Sequence, residues 1–131
     1  MRTLYDDGFF WIVQDESRKL VRVTRSDRSF PDVDEARRVF GAMVALVRSM
    51  DLAGHVLLID SRDAPGRNDE AFESVVGAVR AQLVERFEKR ALLLRTVVGV
   101  MQTQRMERTF GGPHIEPFAD EAAALAYLGV T

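Results

Sequence analysis

The chain contains no cysteine. Disulfide scaffolds, thiolate metal centres and cysteine nucleophiles are therefore excluded, and a reducing compartment fits the absence. Lysine is almost as scarce: Lys19 and Lys89 are the only two, so sixteen of the eighteen basic residues are arginine. The codon bias of a GC-rich genome accounts for that preference as well as phosphate binding does. Neither sign of charge dominates, since twenty acids leave a net charge of −2. Residues 1–68 carry eleven basic and eleven acidic residues, and residues 69–131 carry seven and nine. Without a polybasic footprint, nucleic acid is not an expected partner. No run approaches the roughly 20 apolar residues of a bilayer span. Asp6 and Asp7 stand where a signal peptide needs an apolar stretch. A cytoplasmic protein without a membrane partner is expected. The chain also lacks G-x-S-x-G, G-x-G-x-x-G, G-x-x-x-x-G-K and H-E-x-x-H. No serine elbow, phosphate-cradling glycine loop or zinc helix has a sequence to build on.

What is present is ordinary globular material. With 131 residues, 47% of them hydrophobic and 29% charged, the chain suits one domain spanning 1–131. Such a domain buries roughly two-thirds of its unfolded surface. Phe9–Val13 and Leu20–Thr24 read as strands of a hairpin joined by the polar Asp15-Glu16-Ser17-Arg18. The first of these strands is expected to be covered on both sides, with Trp11 in the core. Asp32 is the expected N-cap of a helix, with Glu35 completing a capping box. Ala36, Val39, Phe40, Met43, Val47 and Met50 form its apolar stripe and Gly54 its stop. His55-Val56-Leu57-Leu58-Ile59-Asp60 reads as a buried parallel strand. After a polar loop, a long helix starts near Asp69 and carries Phe72, Val75, Val76, Val79, Leu83 and Phe87 on one face.

Ala91–Val98 is a further strand, followed by a thinly striped helix from Gly99 to Phe110. His114–Phe118 is a short strand that Pro117 confines to an edge or its end. Asp120 caps a last helix, Glu121 to Leu128, stopped by Gly129. The order β-β-α-β-α-β-α-β-α predicts an α/β fold, a mixed, mostly parallel sheet with helices packed on it.

Polar function concentrates between Asp60 and Glu73, beyond the carboxyl end of a central strand, where open α/β sheets bind ligands. Asp60, Asp63, Asp69, Glu70 and Glu73 could offer oxygen ligands to Mg²⁺, although their spacing fits no ligand motif. Backbone N–H groups at the helix start, helped by Arg62 and Arg67, could hold an anion. The local alternative is that the aspartates cap turn and helix and pair with the arginines, which leaves the segment free to be a partner-contact surface. Asp60, Arg62, Asp63, Arg67, Asn68, Asp69, Glu70 and Glu73 are the residues of that candidate surface. His55 and His114 read as locally bonded rather than as metal ligands.

The element order, the strand Val56–Asp60 leading into a polar loop and long helix, and the closing Phe118-x-Asp120-Glu121-Ala122-x-Ala124-Leu125-Ala126-Tyr127-Leu128 resemble STAS domains. The nearest branch is the bacterial SpoIIAA-like one, and the resemblance covers nearly the whole chain. It implies a non-enzymatic, cofactor-free regulatory domain, similar to anti-sigma-factor antagonists. Such a domain binds a protein partner of the anti-sigma-factor kinase type, and self-association stays open. In that family an Asp-Ser-Ser-Gly segment at the helix start holds the phosphorylated serine. Here the matching segment is Asn68-Asp69-Glu70-Ala71, which has no hydroxyl. Fixed carboxylates stand where a phosphoserine would bring about −1.5 to −2 charges. Two other expectations stand beside this one. The first is a small-ligand domain, for a lipid or nucleotide, with a CRAL-TRIO-like apolar pocket near Met43, Met101 and Phe110; for the set Met101, Met106 and Phe110, packing is a cheaper explanation than a pocket. The second, ranked last, is a metal-dependent enzyme using the acidic loop.

Overall fold

The structure, a computed structural model, describes residues 1–65, 70–111 and 113–130, apart from the side chains of residues 70–73, 75, 76 and 110. Six strands form one sheet whose spatial order is the order of the chain. β1 (Arg2–Asp6), β2 (Phe10–Asp15) and β3 (Leu20–Arg25) make an antiparallel meander. β4 (Val56–Asp60), β5 (Arg90–Leu93) and β6 (Glu116–Phe118) continue from β3 in parallel. The parallel strands are linked through α1 (Val33–Arg48), α2 (Glu70–Val84) and α3 (Val97–Phe110), and α4 (Glu121–Leu128) follows β6. Successive crossovers of one hand, all stepping in one direction, stack α1 to α3 on one face of the sheet. The short α4 returns across the other face and packs on β4, β5 and β6. The predicted α/β class with a mixed sheet is what the chain adopts.

Two cores result from strand alternation. Ile12, Val21, Val23, Leu57 and Ile59 point toward α1 and α2, meeting Val39, Phe40, Met43 and Leu83. Leu20, Leu58, Ala91 and Leu93 point the other way, onto Ala124 and Leu128 of α4. The helix starts are cut by side chains that accept backbone N–H bonds. Asp32 accepts from Glu35 N at 2.8 Å, and Asp120 accepts from Ala123 N at 3.0 Å. The capping box is half made, because the Glu35 carboxylate turns to Arg38 instead.

Four expectations are corrected. β1 is an additional strand. Leu4 and Tyr5 are its apolar residues, and it forms by pairing along β2, with a register shift between Thr3 and Tyr5. β2 is fully covered on one face and only partly on the other, where Val13 is buried and Trp11 is not. α4 reaches only the parallel half of the sheet, so Trp11 is 49% exposed and not in the core. α1 ends at Ser49, whose N–H bonds back to Ala45 and Leu46, while Gly54 serves the turn into β4 at φ +73°. The strand expected over 91–98 stops at Leu93, because Thr96 caps α3 by accepting from Gly99 N at 3.0 Å. Val97 and Val98 become an exposed first helical turn.

Candidate functional site

A cavity of about 850 Å³ opens on the helical face beyond the carboxyl ends of β3, β4 and β5. That volume lies within the roughly 300–1,000 Å³ typical of small-molecule sites. Its floor is a cross-strand row, Val23, Ile59 and Leu92, paired in register through β3, β4 and β5. Phe10, Phe30 and Phe40 close one end, and Met106 of α3 with Ile115 lies toward the other. The space exists because α2 presents Gly77, Ala78 and Ala81 to it, where α1 presents Val39, Phe40 and Met43 to the core. At Gly77 even a Cβ atom would meet nothing within 4 Å. Polar groups ring the mouth, among them Ser61, Arg62, Arg95, Thr96, Gln102 and Thr103.

Arg25 ends β3 inside this apolar end and is only 7% exposed. Its Nη1 donates to the Ser26 carbonyl at 2.8 Å and to the Phe9 carbonyl at 3.4 Å. The guanidinium carbon lies 4.5 Å from the Phe30 ring centre and 5.4 Å from that of Phe10, within cation–π range. Phe30 in turn stacks on Phe9 at 4.6 Å. Burial pulls the Arg25 pKa down, against the more distant Asp7 and Asp27 carboxylates, which favour the charged form.

The sequence-predicted surface is divided by the sheet. Asp60 alternates with Ile59 and so points away from the cavity, toward α4. It is 6% exposed and accepts from Arg22 and Arg62, each at 2.8 Å, while both arginines also reach Glu121. Burial alone would raise its pKa. The hydrogen bonds from the Arg62 side chain and backbone and from Arg22 overcome that and hold it at about 2. Asp60 is thus an internal tie between β3, β4 and α4 rather than a surface group. Arg62 takes part in that tie and also lines the cavity mouth. Asp63 is exposed and pairs with Arg95 at 3.4 Å. Glu70 is the first residue of α2 and Glu73 follows within its first turn. Arg67, Asn68 and Asp69 lie outside the described residues, as do the side chains of Glu70 and Glu73. Among the described residues, no three His, Asp or Glu side chains converge so as to hold a metal ion.

The pocket residues expected from sequence are redistributed. Met43 is fully buried in the α1 core and Met101 is 62% exposed, so neither lines the cavity, whereas Met106 does. The side chain of Phe110 lies outside the described ones. Sequence reading missed Arg25 and the Gly77-Ala78-x-x-Ala81 group. Small residues interrupting the otherwise apolar stripe of a long helix were the available signal.

The histidines are locally bonded, as read. His55 is buried, with Nε2 3.1 Å from Gln14 Nε2. His114 lies between Glu116 at 2.6 Å and Glu107 at 2.8 Å, tying α3 to β6. The Glu116 and Glu107 hydrogen bonds raise its pKa. This tie is complete below the unfolded value of about 6.5 and is lost as pH rises through the higher folded value. An NMR titration is expected to place the His114 midpoint above about 6.5, and Glu116→Gln to move it down. A midpoint at or below the unfolded value would remove the tie.

Comparison of the chain with protein-family models, with curated proteins and with solved structures found no match.

Proposed function

We propose that this chain is a non-enzymatic, STAS-like domain that binds a small, largely apolar molecule in the cavity between the sheet, α2 and α3. The observation that carries this reading is the cavity itself, with its apolar floor and ring of polar groups at the strand carboxyl ends. Packed interiors rarely leave voids larger than a water molecule. A cleft of about 850 Å³ beside a dense α1 core leaves apolar strand and helix surface in contact with water, which a largely apolar ligand would cover. The regular stepping of β3, β4, β5 and β6 with one helix after each of the first three supports the STAS-like part of the reading.

Gly77→Phe tests it. Gly77 lines the cavity and a Cβ there meets nothing within 4 Å, so the new ring is expected to occupy cavity space. Dodecanol, an uncharged apolar probe, is expected to bind the wild-type protein saturably at one site. It should bind Gly77→Phe at least about tenfold more weakly, a loss of about 1.4 kcal/mol, with the folded state retained by circular dichroism. Absence of saturable binding to the wild type, or equal binding to the two proteins, overturns the reading.

A second reading, a protein partner docking on the loop after β4 and the start of α2, rests on Glu70 opening α2. Negative charge is favoured at that end of a helix. Asp60 is not available to such a partner, because two arginines already hold it.

A further inference from the structure

We infer that the molecule held in the cavity is an amphiphile with a single carboxylate, seated with its acid head against Arg25. This rests on the cavity being a ligand site and adds the ligand's chemical class and orientation.

The cavity's arginines differ in one respect. Arg62 bonds Asp60 and Glu121, Arg95 bonds Asp63, and Arg80 is also engaged. Arg25 has no carboxylate within ion-pair distance among the described residues, although it is the most buried of them. Among the described residues only its Nη1 donates to the protein, so Nη2 and Nε have no protein acceptor there and keep contact with solvent. A ligand that displaces this water must supply the counter-charge itself, because a desolvated cation without one is costly. The three phenylalanine rings around it stabilise charge but accept no hydrogen bond in its plane. A carboxylate meets both needs, since a guanidinium presents paired N–H groups that match two carboxylate oxygens.

Charge counting selects the head group. One uncompensated positive charge is neutralised by one negative charge. A phosphate monoester, at about −1.5 to −2, would leave an excess buried among phenylalanines. Geometry selects the body. From Arg25 on β3, the floor runs past Ile59 and Leu92 toward Ile115 beside β6. That path crosses three strand spacings, roughly 14 Å in all, and suits an extended alkyl chain.

Calorimetric titration with four probes decides the matter. Dodecanoate is expected to bind the wild-type protein at least about tenfold more tightly than dodecanol, dodecyl phosphate or butyrate. In Arg25→Met, which keeps the apolar stem and removes the charge, dodecanoate is expected to fall to the level of dodecanol while dodecanol itself is unchanged. Equal wild-type binding of dodecanoate and dodecanol overturns the carboxylate. A preference for dodecyl phosphate overturns the monoanion, and butyrate binding as well as dodecanoate overturns the amphiphile. Carboxylate preference persisting in Arg25→Met overturns the role of Arg25. If that variant fails to fold, the wild-type ranking of the four probes still decides the ligand class. Failure of every probe, dodecanol included, removes the ligand site as well.

Discussion

Asp60→Asn is expected to destabilise the protein by about 2–3 kcal/mol at neutral pH. This lies at or below the low end of what removing one partner from a buried ion pair costs. The substitution keeps the shape of the side chain but leaves Arg22 and Arg62 facing a neutral amide. Glu121 moderates the loss, because both arginines already reach it, at 2.7 and 3.3 Å. Arg62 is itself half-exposed and retains water. Urea denaturation should show a lower midpoint with an unchanged slope. The pH dependence identifies the cause. The folded pKa of Asp60 is lowered to about 2, below the unfolded value of about 3.9. Its contribution is therefore fully present above about pH 4 and disappears as pH falls through 2. The gap between wild type and Asp60→Asn should close over that window. A gap that stays constant down to pH 2 would mean that lost packing, rather than lost charge, explains the variant.

The second large effect separates the filled part of the helical face from the open part. Leu57 is fully buried between β3 and β5, in the core under α1. Truncation to alanine there is expected to cost about 3 kcal/mol, the transfer of the lost methyl groups plus the hole they leave. Leu92 is on the same face one strand along, but it lines the cavity and is only partly buried. Atoms bordering a void have already lost contacts on one side, so Leu92→Ala is expected to cost roughly half as much, about 1–2 kcal/mol. Equal costs for the two variants would show that the space above Leu92 is filled by protein. Saturating dodecanol should narrow the Leu57–Leu92 difference, because bound ligand restores the missing contacts and adds its own linkage term.

Much of the fold was legible because it is local. Asp32 and Asp120 cap helices through bonds to N–H groups three residues on, a relation that sequence spacing displays. The run Val56–Asp60 reads as a buried strand because both faces of β4 carry apolar residues. Where the reading slipped, two local signals competed. Thr96-Val97-Val98 has the composition of a strand, yet the Thr96 hydroxyl takes the Gly99 N–H and starts a helix. Trp11 looked internal because tryptophan usually is, and nothing within residues 9–13 reveals that α4 reaches only β4 to β6.

The candidate site was legible in location and not in composition. That function gathers beyond the carboxyl ends of the parallel strands follows from the class of fold. Asp60 and Ile59 are neighbours in sequence, and the period of two places them on opposite faces, so one joins the ion-pair tie and the other the cavity floor. Which face α2 and α3 would cover could not be read from their stripes alone.

From the amino-acid order came the α/β class, the helix caps, the apolar strands and a chain with no cysteine chemistry. Each depends on residues within a few positions of one another. Only the tertiary structure decided that Arg25 would be buried with no ion-pair partner among the described residues, and that the small residues of α2 would face an open cavity. Both depend on what distant segments bring, or fail to bring, to the same place.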